Sequence, residues 1–380
     1  MVGLERLLNG EERVSDFVAF LADLDPQPLA RVLGLDAEGL KVRREALVNG
    51  RGGRADLLVE NAAGEPLALV EVKIGAGQHG RQYAVYDEWA AQDGLSASCW
   101  LVTLSGDDPH VPPSWHTGLT LAGLVGEWRK SDHAQAAWLA DLAAAVLERR
   151  AEQLEGRLGL AQDRVVADLL VKRLKASLRR SPTADRLDLA LGSGMRTNGG
   201  APMLLGWWSI GTRAGLDVFM TLDLRADNPR PRAWVLRLGL EVDPRDVRDS
   251  AEARVLAHDL ATPIAARLSR TALVATLNED QQALAAALVP RKRGWHDGLS
   301  GNPSPRRLAD WRSAASAGEP TGKHPMLFSD SLYNGGLRLA SQLPVDAAEL
   351  DWRDMLELME VSLDHLASVA ADVTVAPVEE

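Results

Sequence analysis

The sequence predicts an α/β protein: a mixed sheet flanked by helices, followed by a second α+β domain that contains an antiparallel sheet. An apolar hairpin pattern covers residues 54–73, and helical periodicity precedes and follows it. Further along, three strand-like runs follow one another with only turns between them, at residues 204–210, 216–224 and 233–240. A chain of 380 residues is long enough for two domains, and the change of pattern predicts domains at residues 1–155 and 156–380.

The first predicted element is a helix over residues 11–24. Val14, Phe17 and Leu21 recur at helical spacing, and a proline at position 26 ends the run. Two acids, Glu11 and Glu12, stand at the start of this helix. Acids are favoured at helix N-termini, and that is the preferred interpretation of both.

A strand over residues 40–48, which carries Glu45, precedes the predicted hairpin. The hairpin strands are residues 54–60 and 67–73, and the polar turn between them contains Gly64-Glu65-Pro66. Because side chains alternate along a strand, Glu71 and Lys73 share a face. If the hairpin closes at this turn, Asp56 lies near Glu71. Two carboxylates and a lysine would then meet at one end of an apolar hairpin.

Two carboxylates can hold Mg²⁺, a hard cation that prefers oxygen ligands and keeps several waters. The metal lowers the pKa of a bound water and offsets charge that develops on a phosphate. Lys73 can position that water or stabilise the transition state. The alternative is an ordinary edge hairpin with a surface Glu–Lys pair, which contributes little. A single Glu-x-Lys is too common to decide between the two.

The next predicted element is a helix over residues 81–92. Gln82 and Tyr86 are one turn apart on it, so they share a face. Their polar groups can hydrogen-bond a phosphate or a metal-bound water. The alternative is a helix that packs Tyr86 and Trp89 on the sheet and leaves Gln82 without a role.

Taken together, this stretch resembles the PD-(D/E)XK nuclease superfamily, in particular its restriction-endonuclease-like and RecB-like members. The resemblance rests on an acid on one strand, an acid-x-Lys on the next and a Gln-x-x-x-Tyr helix. These are matched by Asp56, Glu71, Lys73, Gln82 and Tyr86. Ala55 departs from the pattern, since many members have proline there. The resemblance covers about the first third of the chain.

The resemblance implies a restriction-endonuclease-like core for residues 1–155 and a catalytic role for the five matching residues. Many relatives carry an acid near the position of Glu45, which adds Glu45 to the candidate catalytic residues. Asp56, Glu71 and the backbone carbonyl of Val72 are the implied metal ligands. The implied cofactor is Mg²⁺, with Mn²⁺ as a substitute. In relatives, an acid on the first helix can approach the metal, which is the alternative for Glu11 and Glu12.

The implied activity is hydrolysis of phosphodiester bonds, of DNA rather than RNA, and a role in bacterial defence against foreign DNA fits this kind of domain. Cutting of both strands would suggest a homodimer. Two other functions stay open. The domain can be a catalytically inactive PD-(D/E)XK-like binding or assembly module, or the chain can be a protein–protein adaptor whose second half does the work.

The remaining elements are predicted from periodicity alone. The first domain continues with a strand over residues 99–105 and helices over 119–129 and 134–160. The second domain, expected to bind nucleic acid or a partner, has predicted helices at residues 162–180, 251–268, 271–288 and 347–369. The first of these is the most basic run in the chain. It either follows a nucleic-acid backbone or is a solvated helix face.

Composition limits the classes of function. The formal net charge of −11 argues against a generally basic nucleic-acid-binding surface. A single cysteine, Cys99, excludes a disulfide framework and a cysteine-based zinc site. No Gly-x-x-x-x-Gly-Lys loop is present, which argues against ATP hydrolysis. No signal peptide or membrane-spanning apolar run is found, so we expect a cytoplasmic protein without a membrane partner.

Overall fold

The computed structural model divides the chain into two compact units, Met1–Glu155 and Gly156–Glu380. The structure describes residues 4, 7, 8, 10–48, 53–74, 82–91, 97–104, 111–158, 164–192, 195, 196, 202–209, 216–225, 233–242, 250–290, 297–301, 304–331 and 337–375. Three predicted turns or loops, at residues 49–53, 75–80 and 290–296, lie largely outside these ranges. None of the described helices combines the length and the apolar run that crossing a bilayer requires.

The first unit is built on a five-stranded mixed sheet with the order β1-β2-β3-β4-β5. Its strands are β1 (Lys41–Val48), β2 (Gly53–Glu60), β3 (Pro66–Lys73), β4 (Ser98–Thr103) and β5 (His116–Thr120). β1, β2 and β3 pair antiparallel, whereas β3, β4 and β5 pair parallel. The predicted α/β class with a mixed sheet is therefore confirmed.

Helices flank this sheet. They are α1 (Glu11–Leu24), α2 (Gln27–Leu33), α3 (Gln82–Ala90), α4 (Leu121–Gly126) and α5 (Ala134–Glu155). α1 packs on β1, β2 and β3, while α3 packs on β2 and β4. The core under α3 joins Tyr83, Tyr86 and Trp89 to Leu58, Leu69 and Leu101 of the sheet.

The hairpin of β2 and β3 forms where the sequence predicts it. Leu57 pairs with Val70 and Leu58 with Leu69. In the turn, the Asn61 side chain accepts hydrogen bonds from the backbone N–H groups of Ala63 and Glu65, at 2.9 and 3.0 Å. This local bonding by an asparagine explains why so short a polar segment sets the register of the pair.

β5 was not predicted, because the pattern there suggested a helix over residues 119–129. Residues 116–120 instead form a short strand, and the side chain of Thr120 then caps α4 by accepting from the Gly123 N–H at 2.9 Å. A cap at residue 120 prevents the helix from starting earlier. A 3₁₀ turn, Glu127–Lys130, follows α4.

The second unit contains a six-stranded sheet with the order β10-β11-β9-β8-β7-β6, in which each strand pairs antiparallel with its neighbours. Its strands are β6 (Ala190–Leu191), β7 (Met203–Ser209), β8 (Leu216–Arg225), β9 (Ala233–Val242), β10 (Phe328–Ser331) and β11 (Leu337–Val345). The predicted meander of β7, β8 and β9 is confirmed. Strands β10 and β11 were not predicted.

The helices of this unit are α6 (Arg164–Leu178), α7 (Pro182–Leu187), α8 (Ser250–Ile264), α9 (Arg270–Val274), α10 (Gln282–Ala287), α11 (Pro305–Ser316) and α12 (Trp352–Val375). The single helix predicted at 271–288 is wrong. Asn278 interrupts it with a capping box, in which its side chain bonds the N–H of Gln281 and the Gln281 side chain bonds back. The last helix begins at residue 352 rather than 347, because Asp351 accepts from the N–H groups of Arg353 and Asp354.

Candidate active site

The side chain of Asp56 reaches across from β2 to the backbone of β3. The paired register of the two strands extends as far as Leu57 and Val70. Beyond that point Asp56 Oδ2 accepts a hydrogen bond from the Val72 N–H at 2.7 Å. The Asp56 carboxylate thus accepts the hydrogen bond that a backbone carbonyl of β2 would accept in a regular pair. The regular pairing of β2 with β3 stops at this point, which leaves a gap between the two strands.

The carbonyl of Val72 faces the same gap. The Lys73 carbonyl accepts from the Leu104 N–H at 3.1 Å, on the β4 side of β3. Successive carbonyl groups of a strand point to opposite edges, so the Val72 carbonyl points to the β2 edge, where Asp56 lies. The three implied metal ligands therefore belong to one end of the hairpin.

Glu71 is the most deeply buried member of the group, with a side chain that is 0% exposed. Its Oε1 accepts from Lys73 Nζ at 2.5 Å and from Gln82 Nε2 at 2.7 Å. Its Oε2 is also buried, and no group in the described part of the chain hydrogen-bonds to it. A buried carboxylate oxygen without a partner is costly, so Oε2 is placed to take up either a proton or a cation.

Lys73 lies between two acids from different elements. Its Nζ is 2.5 Å from Glu71 Oε1 and 3.6 Å from Oε2 of Glu11, the first residue of α1. The other oxygen of Glu11 accepts from the Ile74 N–H at 3.3 Å. Sequence reasoning preferred a plain helix N-terminus for Glu11, but its carboxylate belongs to the site. Glu12 is exposed and makes no such contact with the site residues described here.

Gln82 and Tyr86, on α3, connect this group to β2. Gln82 Nε2 donates to Glu71 Oε1 and, at 2.9 Å, to the Tyr86 hydroxyl. That hydroxyl donates in turn to the Arg54 carbonyl at 2.5 Å. Because Tyr86 is buried and its hydroxyl is used in this way, the two residues hold Glu71 in place in this structure.

Glu45 lies beside the group rather than inside it. Its Oε2 is 3.3 Å from the Arg54 guanidinium, and its side chain is 34% exposed. In the pairing of β1 with β2, Arg44 is opposite Leu57 and Ala46 is opposite Ala55. Between these two pairs, Glu45 and Asp56 are not paired with each other. Glu45 also has φ of 48°, in the left-handed region that non-glycine residues seldom adopt. The strand is therefore distorted next to Asp56.

Burial and mutual repulsion change the acidity of the pair. Burial raises the pKa of Asp56 to about 6, although the hydrogen bond from Val72 acts in the opposite direction. Burial, with the nearby Asp56 carboxylate, raises the pKa of Glu71 to about 7. Burial by itself lowers the pKa of Lys73, but the carboxylates of Glu71 and Glu11 outweigh it and raise that pKa above its usual value. Strongly shifted groups in one cluster are typical of functional sites.

The donor set fits Mg²⁺ better than a metal that needs three or four protein side chains. Among the residues that the structure describes, no group of three or more His, Cys, Asp and Glu side chains is arranged to hold a metal. Mg²⁺ is commonly bound by only one or two carboxylates, with waters completing the octahedron. When the three carboxylates of Asp56, Glu71 and Glu11 are ionised, Lys73 neutralises only one of their charges. The remaining net negative charge favours binding of a cation.

No family model, no curated protein and no solved structure matches this chain. The function is therefore inferred from the geometry and the electrostatics of the site, together with the resemblance of its short motifs.

Proposed function

We propose that this protein is a metal-dependent nuclease that hydrolyses phosphodiester bonds, most readily those of DNA. The observation that carries the proposal is the pair of buried carboxylates, Asp56 and Glu71, with an unpartnered oxygen on Glu71 and a buried lysine beside it. A Glu–Lys pair that serves only stability would not need a second buried carboxylate or a carboxylate oxygen without a partner. Both lower stability, because they leave buried negative charge uncompensated.

Asp56, Glu71 and the Val72 carbonyl would hold the metal. When bound, Mg²⁺ neutralises charge that develops on the phosphate and makes water a stronger nucleophile. The carboxylates then remain ionised, so the cation would relieve their repulsion. Mn²⁺ prefers similar oxygen ligands and can substitute.

Lys73 acts as a cationic hydrogen-bond donor in this proposal. Since Glu71 and Glu11 raise its pKa, the ammonium keeps its proton at neutral pH and is not a general base. It can orient the attacking water by donating to it and can stabilise negative charge on the phosphate. Glu11 lies 3.6 Å from the ammonium and helps to hold it at the site.

Gln82 and Tyr86 are positioning residues. Gln82 fixes Oε1 of Glu71, which leaves Oε2 available for a ligand. Tyr86 holds Gln82 and ties it to the backbone of β2. Glu45 is a neighbour of the proposed site, and its charge adds to the effect of burial in raising the pKa of Asp56.

The resemblance to the PD-(D/E)XK superfamily supports the same function. The acid, the acid-x-Lys and the Gln-x-x-x-Tyr lie on two strands and a helix of one mixed sheet unit. We therefore propose a restriction-endonuclease-like core for the first unit. DNA as substrate, a defence role and a homodimeric assembly follow from the resemblance and belong to the same proposal.

Incubation of the purified protein with plasmid DNA, linear DNA and RNA tests the activity. We expect cutting of DNA with Mg²⁺ or Mn²⁺ that EDTA abolishes. Lys73→Met keeps the buried aliphatic stem but removes the charge, and it should reduce the rate by about 100-fold, as expected for loss of transition-state electrostatics. Lys41→Met changes an exposed lysine of β1 in the same way and should leave the rate unchanged.

A catalytically inactive binding module is the second candidate. The burial of the site favours it, since Asp56 is only 9% exposed and Glu71 fully buried. The acidic net charge of −11 favours it as well. No cutting of any of these substrates with either metal, by protein that is folded and still binds DNA, would support this candidate and contradict the nuclease.

A further inference from the structure

A row of basic side chains runs along α6 in the second unit. Lys172, Lys175 and Arg179 are three and four residues apart, so they lie on one face of the helix and its C-terminal turn. Arg180 follows directly. We call these four residues the basic stripe. Residues 164–180 contain six basic residues and one acid, although the whole chain is acidic.

The rest of α6 holds the stripe in place. Val166, Leu170, Leu174 and Leu178 are buried, whereas Lys172, Arg179 and Arg180 are exposed and Lys175 is partly exposed. α6 packs against the long helix α12. The stripe is therefore the outward face of a helix whose other face is fixed in the core.

The four side chains of the stripe form no ion pair with any residue in the described part of the chain. The arginines before Asp56 differ: Arg43 pairs with Glu60, Arg44 with Asp16 and Arg54 with Glu45. Nearby acids therefore neutralise these three arginines. The stripe on α6 therefore offers unpaired positive charge to a partner, which the described arginines before Asp56 do not.

The only acid within the basic run, Asp168, is already neutralised. It lies one turn before Lys172, and its carboxylate contacts the guanidinium of Arg196 at 3.0 Å. Burial and the nearby Arg179 lower the pKa of Lys175. The positive charges of Lys175 and Arg179 are thus close enough to repel each other. Binding of an anionic partner would reduce this repulsion.

Next to Lys172 in the sequence, Arg173 contacts an aromatic ring together with a second arginine. The guanidinium groups of Arg173 and Arg353 lie 4.3 and 4.6 Å from the centroid of the Trp352 ring. Trp352 is partly exposed at the start of α12. These cation–π contacts hold both guanidinium groups in a defined arrangement and add two positive charges near the start of α12.

We propose that the basic stripe binds the sugar–phosphate backbone of duplex DNA. The residues from Lys172 to Arg179 cover about 10 Å of helix, at about 1.5 Å per residue. A DNA strand carries one phosphate per about 3.4 Å of duplex axis, so the stripe matches about three phosphates of one strand. In naming DNA, this inference rests on the proposed nuclease function. It assigns DNA binding without base recognition to the second unit.

The test measures binding by fluorescence anisotropy of a labelled duplex, with the full-length protein in EDTA over a range of salt concentrations. Lys172→Ala/Arg179→Ala/Arg180→Ala removes three charges of the stripe from exposed positions. We expect at least 10-fold weaker binding and a slope of log K against log salt that is smaller by about 3. The matched control, Arg306→Ala/Arg307→Ala/Lys323→Ala, removes three exposed charges of the same unit and should weaken binding less than 3-fold.

Equal loss of affinity in both variants, an unchanged salt slope in the stripe variant, or no binding of duplex by the wild type would overturn the inference. Tighter binding of single-stranded DNA or RNA than of duplex would overturn the assignment to duplex. Because the assay contains EDTA, it is independent of cutting. Stripe-dependent binding without metal-dependent cutting would contradict the nuclease alone, while cutting with undiminished binding by the stripe variant would contradict the stripe alone.

Discussion

At the scale of single residues, the buried carboxylates of the site lower the stability of the folded protein. Glu71 is fully buried, and its Oε2 has no hydrogen-bond partner among the residues described. Asp56, a second buried carboxylate, raises its pKa further. Groups that lower stability in this way persist where function needs them. Substitution of one of these two carboxylates should therefore raise the stability of the metal-free protein and lower the proposed activity.

Asp56→Asn should separate these two properties. The amide oxygen can still accept the hydrogen bond from the Val72 N–H, but one of the two like charges is gone. We expect cutting of DNA to fall by about 100-fold or more, because several kcal/mol of metal-dependent stabilisation are lost. The metal-free protein should be more stable by about 1–2 kcal/mol at pH 8, as measured by chemical unfolding.

Glu65→Gln is the control for this change, since Glu65 is an exposed acid in the turn of the same hairpin. It should alter neither property. Destabilisation of the protein by Asp56→Asn, or full activity of that variant, would contradict the assigned role.

The pH dependence of stability has a definite sign. The pKa values of Asp56 and Glu71, about 6 and 7 in the folded protein, lie above those of an unfolded chain. The folded state therefore binds more protons between about pH 4 and 7, and the contribution of the pair to the free energy of unfolding falls as pH rises through that window. Mg²⁺ competes with these protons and should stabilise the protein more at higher pH.

We expect the increase in Tm caused by 10 mM Mg²⁺ to be a few degrees at pH 8 and close to zero at pH 5.5. With Kd of about 1 mM, the stabilisation would be about 1.4 kcal/mol. Thermal unfolding with and without the metal, at pH 5.5, 7 and 8, provides the measurement. An increase that is the same at all three pH values would show that the metal does not bind to this pair.

Sequence reasoning identified the residues of the site that local rules bring together. Strand alternation and one short turn place Asp56, Glu71 and Lys73 at one end of the hairpin, and helical spacing places Gln82 beside Tyr86. For Glu11 the contact with the site was only the less favoured alternative, because Glu11 lies 63 positions from Ile74, whose N–H donates to its carboxylate. An acid at a helix N-terminus is too common to indicate such a contact. The left-handed backbone of Glu45 likewise has no signal in the residue type.

At the scale of elements, the site depends on how closely α3 approaches β2. A Cβ at Gly53 would lie 2.8 Å from Cε1 of Tyr86 and 3.1 Å from Cγ1 of Val85. Only a glycine at this position of β2 leaves room for the ring. The Tyr86 hydroxyl can then reach the Arg54 carbonyl and support Gln82. The packing of one helix is therefore coupled to the position of Glu71.

Gly53→Ala should push Tyr86 away from β2. We expect a loss of about 1–3 kcal/mol of stability from overpacking, together with slower cutting of DNA because Gln82 shifts. Gly126→Ala is the matched control, since its Cβ would find its nearest neighbour at 3.7 Å on a backbone with helical φ of −61°. Gly126→Ala should be neutral or slightly stabilising. Unfolding curves and cutting rates of both variants would show whether the contact matters, and equal behaviour would refute the coupling.

Elements with strong periodicity and clear ends were predictable, and those without them were not. The hairpin, α1 and the strands β7, β8 and β9 follow from alternation or helical spacing. The prediction of one helix at 271–288 is wrong because the side chains of Asn278 and Gln281 each accept a hydrogen bond from the backbone N–H of the other. This capping box ends one helix and starts the next. β11 depends on pairing with β9, a distant part of the chain, and β10 is a four-residue strand at the edge of the sheet that pairs with β11. Local pattern does not carry such information.

At the scale of the whole molecule, the two units divide the proposed work. The carboxylates belong to the unit Met1–Glu155 and the basic stripe to the unit Gly156–Glu380. Each unit has its own sheet and its own buried core. An overall charge of −11 repels DNA at long range, so the locally positive stripe would provide the attraction.

A fragment of residues 1–155 should therefore keep the stabilisation by Mg²⁺ and lose most of the salt-dependent affinity for DNA. We expect the Tm increase of the fragment at pH 8 to be similar to that of the full chain, because the proposed ligands all lie within it. Affinity for duplex DNA should fall at least 10-fold. A fragment that binds DNA as tightly as the full chain would contradict this division, and anisotropy titrations of both proteins would show it.

The most direct test of the proposed metal site locates the ion itself. Crystals of the protein grown with Mn²⁺ would give an anomalous difference map that shows where the ion binds. We expect a peak about 2.0–2.3 Å from the carboxylate oxygens of Asp56 and Glu71 and from the Val72 carbonyl, with Lys73 Nζ nearby but not coordinated. A map with no peak between these two carboxylates at neutral pH, in crystals that hold Mn²⁺ elsewhere, would contradict it.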